Sequence, residues 1–358
     1  MSITYGGDYI TDTDGGKLRP SSAVMRNRII NGAMVIDQRN AGASVNTDNS
    51  FPVDRFKISI SGSATATAQQ SSTAPQGFSK SVVYTIGTGA AQGTSSVYRI
   101  FQPIEGYNTA DLGWGTANAK TVTLSFWVRS SVTGTFSGSL VESNGGTASY
   151  VFEYSIPTAN TWTQISVTVA GPTIGTWQTT NSASIALVFD LGSGTNYQQS
   201  AGSWVASGNK FRSSGSVVLS ATSGATFYIT GVQLEVGSSA TGFEYRQYGQ
   251  ELALCKRYFQ KITNYMLQSA NGTVDYILWL NINFPVEMRA APSTSLGAPL
   301  SVEIPYDTIK TQSSAAVSIT NASGVGAEIS FSNFSSLTYN RIYRTYPGQQ
   351  PLSLSAEL

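Results

Sequence analysis

The sequence predicts an all-β protein: a jelly-roll β-sandwich followed by a short helix and a smaller C-terminal β domain. Two patterns support this prediction. Apolar and polar residues alternate with a period of two in many short stretches, which are separated by Gly, Ser and Asn. No convincing helical pattern occurs before residue 246. The chain has 358 residues, of which 41% are hydrophobic, so it is long enough for one large core or two modest ones.

The chain begins with a polar, glycine-rich stretch. We expect residues 1–26 to form an arm without a core of its own, which serves assembly or attachment. The jelly roll is predicted over residues 27–245. In its first part, an Asn31-Gly32 turn is expected before a short strand around Met34 and Ile36.

The clearest strands of the jelly roll have one apolar and one polar face. Their apolar residues are Val122, Leu124, Phe126 and Val128 in one strand, Ile165, Val167 and Val169 in a second, and Ile185, Leu187 and Phe189 in a third. Further strands are predicted at residues 82–86 and 97–101. In the last strand the apolar phase slips by one residue between Ile229 and Val232. Gly231 lies at the slip and predicts a β-bulge there.

The period changes after residue 246. A connecting helix is predicted over 246–262, where the apolar residues are Tyr248, Leu252, Cys255, Phe259 and Ile262. Their spacing of four, three, four and three residues places them on one helix face. This face could pack on its own domain or form an oligomer interface, although two heptads are few for a coiled coil. Residues 263–358 return to a period of two and predict the second β domain.

Composition excludes several classes of function. There is no histidine, which removes Ser-His-Asp and Cys-His catalysis and histidine-ligated zinc. Cys255 is the single cysteine, and we expect neither a metal nor a cofactor. A net charge of +1 without basic runs argues against nucleic-acid binding. No signal peptide or membrane span is recognisable in the sequence, so we expect no membrane insertion.

Only 11% of the residues are charged, well below the roughly 25% of an ordinary soluble domain. A nearly neutral polar surface suits a protein that works outside the cell or in a fixed assembly. A virion component, made in the host cytoplasm and released by lysis, would combine such a surface with the absence of an export signal.

Several sequence segments together resemble a family of bacteriophage virion and tail-fibre proteins. In chain order they are Asn-Arg-Ile-Ile-Asn-Gly at 27–32, Ile-Asp-Gln-Arg-Asn at 36–40, Asp-Arg-Phe at 54–56, Ile-Thr-Gly-Val-Gln-Leu-Glu-Val at 229–236, Gly-Phe-Glu-Tyr-Arg at 242–246, Glu-Leu-Ala-Leu-Cys-Lys-Arg-Tyr-Phe at 251–259 and Phe-Pro-Val-Glu-Met-Arg-Ala-Ala-Pro at 284–292. The resemblance implies a fibre or appendage subunit, commonly a homotrimer, with other tail or capsid proteins as partners. The stretches 124–128, 162–165 and 227–232 are also similar to jelly-roll carbohydrate-binding modules.

Sugar recognition requires flat aromatic faces with polar groups around them. Trp114, Trp177, Tyr197 and Trp204 lie in predicted loops among Asn, Gln, Ser and Thr, and are the candidate glycan-binding residues; the alternative is that they cover the core or fill a subunit interface. Glu142 and Glu153 lie in adjacent predicted strands, and a pair of carboxylates is the minimal apparatus for glycoside hydrolysis.

We therefore interpret the chain as a non-enzymatic tail-fibre or adhesin subunit of a phage particle that recognises host-surface polysaccharide. The main alternative is a head or neck fibre or capsid decoration protein with a purely architectural role, which a covered jelly-roll groove would favour. A glycan depolymerase is the enzymatic alternative. Asp190 and Glu235 could ligate calcium, but no Asp- or Asn-rich loop accompanies them.

Overall fold

The structure is a computed structural model that describes residues 4–6, 9–11, 17–18, 25–143, 145–263, 266–269, 278–296, 301–303, 309–311, 316–332, 342–345 and 351–358. Its strands before the helix are β1 (Thr4–Gly6), β2 (Tyr9–Thr11), β3 (Lys17–Leu18), β4 (Lys57–Ser61), β5 (Ala66–Ser71), β6 (Ser81–Ile86), β7 (Val97–Glu105), β8 (Val122–Ser130), β9 (Gly134–Glu142), β10 (Ser149–Ile156), β11 (Thr163–Val169), β12 (Ala183–Asp190), β13 (Trp204–Val205) and β14 (Thr226–Val236).

Helix α1 (Tyr248–Lys256) follows, and then β15 (Phe259–Ile262), β16 (Met266–Ser269), β17 (Leu278–Asn283), β18 (Ser293–Leu296), β19 (Ser301–Glu303), β20 (Ile309–Thr311), β21 (Ala316–Thr320), β22 (Gly326–Ser332), β23 (Ile342–Thr345) and β24 (Leu352–Ser355). Short 3-10 helices occupy Gly106–Asn108, Ala110–Leu112, Thr195–Tyr197 and Leu219–Ala221. The predicted all-β fold class is therefore confirmed.

Two antiparallel sheets form the sandwich. The six-stranded sheet has the order β13-β10-β9-β12-β7-β4, and the five-stranded sheet has the order β11-β8-β14-β6-β5. The apolar faces of the alternating strands meet between the sheets, because successive side chains of a strand point to opposite faces. Phe126 of β8, for example, packs on Phe189 of β12 with ring centroids 5.0 Å apart, and both are fully buried.

The predicted β-bulge in β14 is confirmed. The pairing of β14 with β8 shifts register between Thr230 and Gln233, and Gly231 inside the shift has a φ of +63°. Only glycine adopts this conformation without steric cost. The bulge moves the buried side of the strand from Phe227 and Ile229 to Val232, which explains the phase slip in the sequence.

The strand predicted around Met34 and Ile36 is wrong. Residues 27–56 contain only isolated bridges, Val45 with Ala68 and Val53 with Phe56, and side chains accept or donate part of the backbone hydrogen bonds that a strand partner would otherwise make. Asn31 is fully buried; its amide nitrogen donates to the carbonyls of Ile36 and Asp54, and its amide oxygen accepts the Ile36 N–H. The segment thus lies as a folded layer on the sandwich.

The predicted helix 246–262 is wrong at its end. Helix α1 ends at Lys256, and Phe259 and Ile262 belong to β15, which pairs with β24 near the end of the chain. Tyr248 is 63% exposed, whereas Cys255 is buried against the chain's own Ile30 and Ile36, as part of a cluster that Leu252 also joins. Cys255 and the buried Phe259 are therefore covered within the single chain, which corrects their prediction as oligomer-interface residues.

Among the described residues, no helix has the length and apolar character needed to span a membrane.

A second apolar cluster lies beyond the helix. It includes Leu278, Ile329 and Phe331 in the seven-stranded sheet and Leu352 and Leu354 in the three-stranded sheet β15-β24-β18. The division of the chain at 27–245, 246–262 and 263–358 stays a prediction, and β15, which lies inside the predicted helix, belongs to the three-stranded sheet of this second cluster. The Asn271-Gly272 dipeptide, which predicts a hairpin turn, and Tyr276, at which the next alternating stretch begins in the sequence, lie outside the described residues.

Buried ion pairs join the sandwich to the end of the chain. The Arg55 guanidinium is 1% exposed, lies 3.5 Å from the centre of the Tyr258 ring and bonds to the carboxylate of Glu357. Arg39 bridges Glu357 and Asp54 at 2.8 and 3.2 Å. The Asp-Arg-Phe segment at 54–56 therefore acts as part of a junction between distant parts of the chain.

Candidate functional site

Three of the four predicted glycan-binding residues lie together. The ring centroid of Trp114 is 4.9 Å from that of Trp177 and 5.4 Å from that of Trp204, and the latter two are 5.6 Å apart, all edge to face. Trp114 lies in the connection from β7 to β8, Trp177 in the connection from β11 to β12, and Trp204 begins β13. We call these three residues the tryptophan cluster. Two connections and the start of a short edge strand, all distant in sequence, thus meet at one place on the sandwich.

Every indole N–H of the tryptophan cluster bonds to a backbone carbonyl. Trp114 donates to Lys120 at 2.9 Å, Trp177 to Ile174 at 2.9 Å and Trp204 to Ala170 at 2.7 Å. Trp114 is 7% exposed and belongs to the main core. Trp177 and Trp204 are half-buried and retain exposed ring surface. The cluster is therefore a rigid aromatic surface in which Trp114 is the floor.

The loop that carries Trp177 is held by a buried glutamate. Glu142 is 3% exposed and accepts the N–H of Thr176 at 3.0 Å. It also accepts the hydroxyl of Thr147 at 2.8 Å and the N–H of Ala148 at 3.2 Å. With these hydrogen bonds the carboxylate fixes two loops, the one that carries Thr147 and Ala148 and the one that carries Thr176 and Trp177.

Glu142 and Glu153 do not form a catalytic pair. In the pairing of β9 with β10, Glu153 lies opposite Ser137, and Glu142 is five residues farther along β9. At about 3.3 Å per residue this places the two backbones roughly 17 Å apart. Because five is an odd number and successive side chains of a strand alternate, Glu142 and Glu153 also point to opposite faces of the sheet. They therefore cannot act on one glycosidic bond from its two sides, as the paired carboxyl groups of glycosidases do.

Tyr197, the fourth predicted residue, lies elsewhere. Its ring stacks on Phe211 with centroids 5.0 Å apart and planes inclined by 14°. Both rings belong to a separate apolar cluster with Phe101, Val141 and Val188 on the face of the six-stranded sheet that points away from the core. The structure thus assigns Tyr197 to a covering layer and not to the tryptophan cluster.

This outer face of the six-stranded sheet is covered by residues 193–199 and 209–216, which lie on either side of the edge strand β13 in the chain and which we call the covering segment. Arg212, 2% exposed, bonds to the carbonyls of Ser193 and Ser216 and lies 3.9 Å from the Asp190 carboxylate. Burial raises the pKa of Asp190 to about 6, although hydrogen bonds from Ser193 and the charge of Arg212 lower it. The segment is therefore fixed to the sheet by buried polar contacts.

The two candidate calcium ligands, Asp190 and Glu235, already accept hydrogen bonds from the chain. Asp190 accepts the N–H groups of Gly192 and Ser193, both at 3.0 Å. Glu235 accepts the N–H of Thr241 at 2.8 Å and its hydroxyl at 2.7 Å. Within the described part of the chain, no group of three His, Cys, Asp or Glu side chains could hold a metal ion.

Sequence reasoning missed Tyr150. It lies opposite Trp204 in the pairing of β10 with β13, and the two ring centroids are 5.4 Å apart. Tyr150 was not distinguishable because β13 is only two residues long and gives no strand pattern of its own. It extends the half-exposed aromatic surface along β10.

Comparison with known proteins leaves the family open. No family model and no curated protein matches the sequence. Among solved structures, the enzymatically active domain of tailspike protein 4 of bacteriophage CBA120 has a TM-score of 0.31 at 15% identity and covers 59% of this chain, while this chain spans only 22% of that one. A family 11 carbohydrate-binding module of a Clostridium thermocellum cellulase has a TM-score of 0.29 at 13% identity, with 57% and 100% covered. The module TmCBM61 in complex with β-1,4-galactotriose gives 0.29 at 13%, with 59% and 99% covered. Similarities this weak assign no function.

Proposed function

We propose that this chain is a non-catalytic structural and adhesive subunit, in which the tryptophan cluster and Tyr150 bind glycan. The observation that carries the proposal is the half-exposed aromatic surface of Trp177 and Trp204 on the buried floor of Trp114. A surface tryptophan needs a physical reason, because its exposed apolar area is unfavourable in water. A sugar partner supplies that reason.

The contacts that this site can make with a sugar depend on which groups of the indole rings are not already hydrogen-bonded within the chain. The indole N–H groups of Trp177 and Trp204 are already bonded, so these residues offer only ring faces and edges. The electron-rich face of an aromatic ring attracts the polarised C–H groups on the apolar side of a pyranose. Thr173 and Thr176 are exposed in the Trp177 loop and can bond to sugar hydroxyls. Because the rings are fixed before binding, little conformational entropy is lost.

The proposed setting is a phage particle. The low charge supports it, as do the segments that resemble phage virion and tail-fibre proteins and follow one another in the same order. We propose a homo-oligomer, with three copies implied by the same resemblance, attached to other tail or capsid proteins. Several copies would turn weak binding at one site into useful avidity for a host-surface polysaccharide.

Glycan-array binding tests the site. The wild-type chain should bind one or a few bacterial surface polysaccharides, and the variants Trp177→Ala and Trp204→Ala should each weaken that binding at least about tenfold. This corresponds to about 1.4 kcal/mol, within the range for a lost aromatic contact. Trp162→Ala is the matched control, since Trp162 is also half-buried and packs on Tyr228 outside the cluster. Equal loss in all three folded variants would contradict the assignment.

One observation favours a purely architectural role as the second candidate. The outer face of the six-stranded sheet, a broad surface on which a ligand could lie, is covered by Phe211 and Arg212 of the chain's own covering segment. Assembly into particles that proceeds normally with Trp177→Ala and Trp204→Ala, together with an absence of glycan binding by the wild type, would support this role over adhesion.

A further inference from the structure

A cavity of about 330 Å³ lies apart from the tryptophan cluster, between the first segment of the sandwich, the β5–β6 loop and the stretch that leads into helix α1. Its lining includes Phe78, Phe243, Glu244, Tyr245 and Arg246. Ligand pockets in proteins have volumes of about 300 to 1,000 Å³. The volume of this cavity is therefore at the small end of that range, suited to one or two sugar rings.

Three aromatic rings form one side of the cavity. Phe78, Phe243 and Tyr245 have ring centroids 4.9 to 5.5 Å apart, so each ring contacts the other two. Phe78 also packs on the bulge, since a Cβ atom at Gly231 would be 2.7 Å from its ring. Phe243 is edge-on to the other two rings, with interplanar angles of 72°, so the three rings form one apolar platform that is not flat, and Tyr245 offers the ring face. The rings of an aromatic cage stand apart and enclose a cation, whereas these three rings contact one another and leave no space for one.

Tyr245 is the exposed part of this platform. Its side chain is among the most exposed large apolar groups of the described residues at 61%, yet its hydroxyl donates to the Gly77 carbonyl at 2.8 Å. The ring is thus held at its far end while much of its surface faces solvent. A fixed, exposed aromatic ring loses little entropy when a flat ligand stacks on it.

The charged residues of the cavity are fixed as well. Arg246 bonds to the carbonyls of Asn27 and Ile29 and lies within 3.6 Å of Glu244 and 3.4 Å of Glu251. Two carboxylates and one guanidinium give this wall a formal charge of −1, which disfavours phosphate and other anions. Carboxylate oxygens accept hydrogen bonds, and hydroxyl groups are suitable donors.

We propose that this cavity is a second saccharide site, which binds a neutral pyranose with its apolar face on Tyr245 and its hydroxyls toward Glu244. The inference extends the proposed glycan recognition, but it uses none of the residues of the tryptophan cluster. A chain with two such sites contacts a polysaccharide at two separated points, which raises avidity in an oligomer further.

The test is saturation-transfer NMR on the full chain with glucose, galactose, mannose, rhamnose and N-acetylglucosamine as separate probes. At least one probe should receive magnetisation at its ring C–H protons. Tyr245→Ala should reduce that transfer at least about tenfold, and Trp177→Ala should leave it in place. Tyr107→Ala is the matched control, because Tyr107 is 59% exposed and does not line the cavity.

The outcomes separate this inference from the proposed function. Transfer that survives Tyr245→Ala and disappears with Trp177→Ala would overturn the second site and leave the tryptophan cluster standing. Transfer from none of the probes would also overturn the second site, while the glycan array still tests the tryptophan cluster separately. Loss with Tyr245→Ala alone would support the second site whatever the array shows.

Discussion

Asp190 should make the sandwich less stable as the pH rises from about 4 to about 7. Its carboxyl is 1% exposed beneath the covering segment, and burial raises its pKa from 3.8 to about 6 despite the hydrogen bonds from Ser193 and the charge of Arg212. The folded state therefore binds the proton more tightly than the unfolded state. This contribution to stability is complete below pH 3.8 and is lost as the pH rises through about 6.

The magnitude follows from the two pKa values. The difference between 3.8 and about 6 corresponds to about 3 kcal/mol. We expect the free energy of unfolding of the wild type, measured relative to Asp190→Asn, to fall by about this amount between pH 4 and pH 7. Urea unfolding at a series of pH values measures it, and Asp111→Asn, whose carboxylate is 46% exposed, controls for the loss of one acidic group.

Two results would refute this reasoning. A difference between wild type and Asp190→Asn that is constant with pH would show that the carboxyl does not titrate in this range. A wild type that gains relative stability as the pH rises would show that Arg212, 3.9 Å away, outweighs burial and lowers the pKa.

Three further predictions concern single side chains. Gly231→Ala should lower the free energy of unfolding by about 1 to 3 kcal/mol, because φ is +63° and the new methyl would lie 2.7 Å from Phe78; thermal denaturation measures this. Glu105→Gln should cost about 2 to 4 kcal/mol in urea unfolding, because the 1% exposed carboxylate holds Arg257 at 2.6 Å, whereas a loss below about 1 kcal/mol would mean that this pair behaves like a surface pair. Cys255 should not react with a thiol reagent in the folded protein, since it is 1% exposed and burial raises the pKa of its thiol; fast labelling of the native chain would contradict its placement.

Local sequence pattern was sufficient for the sandwich strands. Alternation of side chains is a property of the strand itself, so β8, β11, β12 and the bulge at Gly231 were predictable. The pairing of strands that lie far apart in the sequence was not predictable from local pattern. Phe259 and Ile262 continue a helical spacing, but β15 forms because it finds β24 about 90 residues later. The sequence near residues 259–262 contains nothing that predicts pairing with β24.

The candidate site divides in the same way. The prediction that Trp114, Trp177 and Trp204 lie in loops selected three residues that the fold brings together, although Trp204 begins the short strand β13. Tyr197 met the same criterion, but the covering segment places it against Phe211. Which loop folds back over a sheet depends on tertiary contacts such as those of Arg212, which composition does not reveal.

The most direct test of glycan adhesion is binding of the labelled, purified chain to bacterial cell envelopes before and after mild periodate oxidation, which cleaves the vicinal diols of sugars. We expect binding to the envelopes of at least one host, its loss after oxidation, and its loss with Trp177→Ala and Trp204→Ala combined but not with Trp162→Ala. Binding that survives both oxidation and the double substitution would contradict the account.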